Sequence, residues 1–368
     1  MTQGFVPPPY PYDRLDAFKG VASKFDGGVI DLSVGDPCDP PSAAVIAALS
    51  SSNLERGYPP SIGIEPLRAA VRSWMQRKFD IDIPLSQIAA AVGSKEYVVT
   101  TPQWMKLRTP SRDTVLFPAV SYPSYAMGAT LSGCRPVAVP MTPTGGVDLS
   151  KISADDAKRA LMIWMNSPSN PTGALDDMEA VVNWGRANDV PVFSDECYVE
   201  FTWQGKPTTA LQYGTQGVIA LHSLSKRSNL AGLRVAFYAG DADIVHYLKE
   251  VRKHAGLMVP GPAQAAGVVA LNDDDSVKVQ ADIYRRRLER TATVLSKWSG
   301  RNIELPAGGF YLWFDATDGW EFAERLATEG GALVSPGDFY GAGGSNNVRV
   351  AVVQPDDRIE LLAQRLCL

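Results

Sequence analysis

The chain has 368 residues, 45% hydrophobic and 20% charged, near the average of a soluble globular protein and long enough for two to three domains or one large domain with a satellite. A formal net charge of −5 without a long Lys/Arg run argues against a nucleic-acid or anionic-membrane partner. No apolar run approaches the roughly 18–20 residues of a membrane helix, which argues against a spanning segment.

In chain order, Met1–Pro11 has neither the basic nor the apolar region of a signal peptide, and the first 45 or so residues show little periodicity. They are expected to pack on the C-terminal unit or on a partner chain. From Gln87 to Ala239, short apolar runs alternate with helical patterns. Ile88–Val92, Val115–Phe117, Pro136–Val139, Leu161–Met165, Val190–Ser194, Val218–His222 and Arg234–Tyr238 read as strands covered on both faces. Asp176–Asn188 is the clearest helix between them, with two aspartates in its first turn. Seven such strands predict a large α/β domain with a mostly parallel sheet.

Pro260-Gly261-Pro262 then opens a helix to about Leu271, and Asp273-Asp274-Asp275 starts a charged helix to about Trp298. The remainder predicts a small α+β unit: strand Gly309–Phe314, helix Trp320–Thr328, strands Ala332–Ser335 and Asn347–Val353, and helix Pro355–Leu366. Gly341–Gly344 lacks the strand and helix of a nucleotide-binding loop and reads as a flexible connection. The four cysteines are scattered without a C-x-x-C, and three histidines are too dispersed for a metal site. A cytoplasmic, reduced, metal-free protein is the expectation.

Three stretches at predicted strand ends carry chemistry, and open α/β sheets collect ligands at the carboxyl ends of their strands. His222-Ser-Leu-Ser-Lys-Arg-Ser-Asn-Leu-Ala-Gly-Leu-Arg234 crowds Ser223, Ser225, Lys226 and Arg234 together. Hydroxyls with an arginine make a phosphate clamp, and a lysine among positive neighbours is kept partly unprotonated, fit for a Schiff base. Alone, Lys226 reads more readily as a solvated surface lysine, and the Ser-x-Ser-Lys context weakens that reading without removing it. Asn166-Ser-Pro-Ser-Asn-Pro-Thr-Gly173 presents the Asn170 amide from a stiff turn that could also be an ordinary strand–helix connection. In Ser194-Asp195-Glu-Cys-Tyr198, a rim carboxylate can hold a ring nitrogen protonated and Tyr198 can donate to a phenolic oxygen; an N-capping aspartate is the plainer alternative.

Taken together and in this order, these residues resemble the fold-type-I pyridoxal-phosphate enzymes, specifically the class I/II aminotransferases. Arg234 follows Lys226 by eight positions, as in that family, and the Asn-Pro-x-Gly turn and the Asp-x-x-Tyr strand end are both present. The resemblance runs over nearly the whole chain. It implies an aspartate-aminotransferase-like fold, with a large domain at 46–272 and a small domain formed by 1–45 and 273–368.

The same resemblance assigns residues. Lys226 would carry pyridoxal 5'-phosphate as a Schiff base and shuttle the proton at the substrate α-carbon. Asp195 would hold the pyridine nitrogen, Asn170 and Tyr198 the phenolic oxygen, and Tyr122 would stack on the ring. Ser94, Lys95, Ser223, Ser225 and Arg234 would hold the phosphate, together with Tyr58 reaching across a homodimer. Arg349 and the backbone of Gly35 would hold the substrate α-carboxylate, the guanidinium fork being suited to two parallel bonds. The pattern is most similar to the actinobacterial-type succinyldiaminopimelate transaminases, through Val34-Gly-Asp-Pro-Cys-Asp-Pro40, Tyr58-Pro-Pro-Ser-Ile-Gly63 and Gly93-Ser-Lys-Glu96. Glutamate would be the amino donor in a ping-pong reaction. Another amino-acid aminotransferase (aspartate, aromatic or acetylornithine-like), a C–S lyase or acyl-transfer enzyme on the same fold, and a non-catalytic regulatory protein are the alternatives.

Overall fold

A strand without a polar face has to be covered on both sides, and the apolar runs of the chain's middle form one such sheet, except that the run expected to be covered at Pro136–Val139 lies at its edge and leaves Pro136 and Ala138 exposed. The computed structural model describes residues 4–368. Along the chain, β1 (Ile30–Asp31) belongs to a separate pairing described below. The sheet comprises β2 (Ile88–Val92), β3 (Thr114–Pro118), β4 (Arg135–Val139), β5 (Ala160–Asn166), β6 (Val192–Asp195), β7 (Val218–Ser223) and β8 (Val235–Gly240), in the order β2-β8-β7-β6-β5-β3-β4. β8 runs antiparallel to both its neighbours, and the other pairings are parallel. The fold is therefore the mostly parallel seven-stranded α/β architecture expected.

Side-chain alternation divides the core into two layers. Ile163 and Met165 of β5 face one side with Val71, Trp74, Val181 and Ala266, from helices Glu65–Phe79, Met178–Ala187 and Gly261–Leu271. Trp164 and Phe193 face the other side with Tyr97, Tyr125 and Leu248, from helices Ser94–Arg108, Ser124–Leu131 and Ala242–His254. Helix Met178–Ala187 starts two residues later than its pattern predicts, because Asp177 acts as its cap and accepts from the Ala180 amide at 2.9 Å.

The C-terminal unit holds β9 (Tyr311–Asp315), β10 (Ala332–Leu333), β11 (Ser335–Pro336) and β12 (Asn347–Ala351), with order β11-β12-β9 in one antiparallel sheet. The single strand expected at Ala332–Ser335 is in fact two. β10 pairs in parallel with β1, while β11 turns to pair with β12 and ends at Pro336, which has no N–H to extend a ladder. Helix Asp274–Ser299 is capped by Asp273, ends at Gly300 with φ +71°, and packs Leu288 and Leu295 on Phe310, Val348 and Leu362. Helix Asp16–Ala22 lies on helix Gly319–Gly330, so this part of the N-terminal segment joins the C-terminal unit. Helix Ala43–Ser50 packs instead on Gly261–Leu271. Among the described residues, no helix is long and apolar enough to cross a membrane.

Candidate active site

The carboxyl ends of β5, β6 and β7 meet the C-terminal unit at a cavity of about 300 Å³. Its lining includes Gly35, Ser94, Tyr122, Asn170, Asp195, Tyr198, Ser225, Lys226 and Arg349, all singled out from the sequence. Ser223 and Arg234 stand behind that lining, Lys95 at its rim, and Tyr58 lies outside it with 95% of its surface exposed.

Lys226 sits on a single helical turn, Leu224–Arg227, whose cap is Ser223; the Ser223 hydroxyl accepts from the Ser225 amide and donates to the Ser225 hydroxyl. The Lys226 ammonium donates to the Gly35 carbonyl. Burial lowers its pKa to about 8, against the opposing pull of Asp36, so the amine is partly unprotonated near neutrality. Arg234 adopts a left-handed backbone, φ +57°, and donates to the Ala231 carbonyl at 2.9 Å. Its guanidinium lies so close to Gly93 that a Cβ there would come within 2.1 Å of Nη2. Gly93 also precedes helix Ser94–Arg108, whose first N–H groups have no partner within the helix. An anion-binding corner results: a helix N-terminus, two serine hydroxyls and an arginine.

Asp195 is 6% exposed at the end of β6. It accepts from the Tyr125 hydroxyl at 2.9 Å and from the Cys197 amide at 3.2 Å, while burial raises its pKa. Asn166 fastens this strand end, donating to the Asp195 carbonyl at 2.8 Å and accepting from the Asn170 amide at 2.7 Å. Tyr125 and Asn166 are partners that sequence reasoning missed: Asn166 lies within a quoted stretch, but no spacing rule marks either residue.

Arg349 is the most decisive group. It is 1% exposed on β12, yet forms no ion pair among the described residues. Nη1 donates to Asn170 Oδ1 at 2.9 Å, Nη2 to Tyr12 at 3.1 Å and to the Ser33 carbonyl, and the buried Nε has no partner. The rings of Tyr311 and Tyr340 lie 4.2 and 4.8 Å from its guanidinium carbon. A buried cation without an anion is costly, which makes an anionic ligand in this cavity energetically welcome. Tyr12 and Tyr311 are the groups that sequence reasoning missed here. Lys95 is exposed on the cavity rim, where its ammonium donates to the hydroxyl of Tyr10, a lining residue, at 2.9 Å.

A phosphorylated pyridine ring fits this donor set. The corner at Gly93 would take a phosphate, the buried Asp195 carboxylate a protonated ring nitrogen, and Lys226 an aldehyde carbon. These features belong to pyridoxal-phosphate enzymes of the aspartate-aminotransferase-like fold. Residues 27–366 match the model of the family described as aminotransferase class I and II. The chain belongs to that family and is a pyridoxal-phosphate-dependent aminotransferase.

It is 37% identical to 4-dedimethylamino-4-oxo-anhydrotetracycline transaminase of Streptomyces rimosus, across 98% of this chain and 99% of the relative. It is 35% identical to LL-diaminopimelate aminotransferase of Aquifex aeolicus, across 98% and 96% of the two chains. Among solved structures it resembles a chain described as a probable N-succinyldiaminopimelate aminotransferase from Thermus thermophilus. That likeness has a TM-score of 0.85 and 28% identity, over 96% of this chain and 98% of the other.

Proposed function

We propose that this aminotransferase moves an amino group between glutamate and N-succinyl-2-amino-6-oxopimelate, forming N-succinyl-LL-2,6-diaminopimelate and 2-oxoglutarate. The observation that carries a small carboxylic substrate is Arg349, a buried guanidinium with an unpartnered Nε beside Lys226's cavity. The diaminopimelate part rests on the sequence pattern and on the names of the relatives above.

Pyridoxal phosphate, when bound, supplies the aldehyde that takes up the amino group and a ring that accepts the α-carbon's electron pair. Lys226 would hold the cofactor, and the unprotonated fraction of its amine, enlarged because burial lowers its pKa to about 8, would take the substrate's α-proton. Asp195 keeps the ring nitrogen protonated. Asn170 and Tyr198 donate to the phenolic oxygen, and Tyr122 stacks on the ring. Ser94, Lys95, Ser223, Ser225 and Arg234 hold the phosphate with Tyr58 of the partner subunit. Arg349, Asn170 and the Gly35 backbone orient the α-carboxylate so that its α-hydrogen faces Lys226.

A homodimer is part of the reading, because Tyr58 stands clear of its own cavity, and Ile46 and Leu54, which precede it in the chain, are exposed apolar residues as well. So is the division into a large domain at 46–272 and a small one from 1–45 and 273–368, along which the sheets separate. The free thiols Cys38, Cys134, Cys197 and Cys367 suit a reducing, cytoplasmic setting.

The relatives named LL-diaminopimelate aminotransferase favour a second reading, in which the unsuccinylated diamino acid is the substrate. The test is a spectrum of the holoenzyme. Glutamate should shift the visible band and 2-oxoglutarate restore it. N-succinyl-LL-diaminopimelate should shift it at lower concentration than LL-diaminopimelate; the reverse order selects the second reading. Indifference to both, with a response to another amino acid, refutes the diaminopimelate assignment and keeps the transaminase.

A further inference from the structure

Tyr311 has no counterpart in the assignments above, yet it touches three of the groups in them. It opens β9 in register with Ala351 of β12, two positions along that strand from Arg349, so both side chains rise from the same face. Its ring lies 4.2 Å from the Arg349 guanidinium carbon. Its hydroxyl is 2.8 Å from that of Tyr198, which comes from the other side of the cavity. It also fills the space beside Gly35, where a Cβ would fall 2.1 Å from the hydroxyl oxygen. The tyrosine is 2% exposed and lines the cavity.

Two phenols at 2.8 Å share one proton between their oxygens, and the direction of that bond decides what the second proton can do. If Tyr198 donates to a ligand's phenolic oxygen, as the proposed function has it, Tyr311 must be the donor to Tyr198. Burial keeps both phenols protonated, so both protons are present for this relay. Each donor in such a chain polarises the next and strengthens its bond.

We propose that Tyr311 is a positioning residue that acts through Tyr198: its hydroxyl fixes the Tyr198 proton toward the cofactor's phenolic oxygen, while its ring seats Arg349 for the substrate carboxylate. The proposal rests on the reading of Tyr198 given above. It splits the residue into two parts with separate readouts. The hydroxyl sets the pH at which the lysine-bound cofactor changes its absorption, because a stronger donor to the phenolic oxygen favours the deprotonated form. The ring sets carboxylate affinity.

The experiment is a pH titration of visible absorption in the holoenzymes of wild type, Tyr311→Phe, Tyr198→Phe and the double variant, with KM for glutamate measured beside it. Tyr311→Phe keeps the ring, so KM should stay within about twofold while the spectral midpoint rises by about half a unit. Tyr198→Phe should raise the midpoint further, and the double variant should match it. Tyr311→Leu, which removes the ring, should raise KM. An unmoved midpoint in Tyr311→Phe while Tyr198→Phe moves it overturns the proposal alone, as do two shifts that add in the double variant. If Tyr198→Phe leaves the midpoint in place, the reading of Tyr198 falls and the relay with it. Thermal unfolding of the cofactor-free proteins checks that each variant folds.

Discussion

At the scale of single residues, the site sets Arg349, Arg234 and Lys226, none of them ion-paired among the described residues, against the buried carboxylate of Asp195. Arg349 has neutral oxygen partners, and the planar fork of its guanidinium offers two parallel donors that a lysine lacks. Arg349→Lys is therefore expected to lower kcat/KM for both glutamate and the acceptor on the order of 100- to 1000-fold, mostly through KM. Steady-state kinetics with the two substrates varied separately measures this, and a change in kcat alone would contradict the carboxylate role. Gly93 is as constrained as any side chain in the site. Its φ of +75° and the nearness of the Arg234 guanidinium leave no room for a methyl group. Gly93→Ala should loosen the phosphate corner and raise the cofactor's dissociation constant about tenfold or more, read by titrating the cofactor into the cofactor-free protein.

At the scale of the elements, the ends of β6 and β7 bring together behind the site a buried acid and a buried base that share no hydrogen bond. Glu196 follows Asp195, His222 precedes Ser223, and their side chains approach at 3.3 Å within a cage formed by Trp74, Phe79 and Phe237. Burial raises Glu196 from 4.5 to about 7 and lowers His222 from 6.5 to about 3. The two shifts act on stability in opposite senses. Between pH 3 and 6.5 the unfolded histidine binds a proton the folded one refuses, so stability rises with pH. Between pH 4.5 and 7 the folded glutamate keeps a proton the unfolded one loses, so stability falls with pH. From 4.5 to 6.5 the two cancel. Glu196→Gln removes only the second contribution, so its Tm should climb relative to that of the wild type as pH rises through that window. Thermal unfolding in a buffer series decides it, and parallel curves for the two proteins would refute the raised Glu196 pKa.

At the scale of the whole molecule, the cavity draws on both ends of the chain. Gly35 and Tyr12 come from the N-terminal segment and Arg349 from the C-terminal sheet, while Lys226 and Asp195 stand on the large sheet. If Tyr58 of the partner subunit completes the phosphate site, subunits inactive for different reasons can rescue one another. Dimers mixed from Lys226→Ala and Tyr58→Ala chains should contain one intact site, with its own lysine and the partner's tyrosine. Activity after mixing and refolding the two inactive proteins should approach half that of wild type per mixed dimer. Sedimentation should give a dimer throughout, and absence of rescue in a verified mixed dimer would place Tyr58 outside the site.

The strands, and the residues at their ends, were legible because both are local properties. An apolar run such as Leu161–Met165 has to be buried on both faces, and the loop after it has to surface at the sheet's rim, so Asn170, Asp195 and Lys226 could be placed beside one cavity before any contact was seen. The break between β10 and β11 was not legible, since Ala332–Ser335 is uniformly apolar or small and only its partners distinguish its halves. The same holds for Tyr125 on Asp195, 70 residues away, and Tyr311 on Tyr198, 113 residues away. A tyrosine's sequence neighbours say that it will be buried and leave open which hydroxyl it meets. Backbone hydrogen bonding and side-chain periodicity act over a few residues and are written in the order of amino acids. The pairing of two buried polar groups is set by how whole layers pack, and only the tertiary structure decides it.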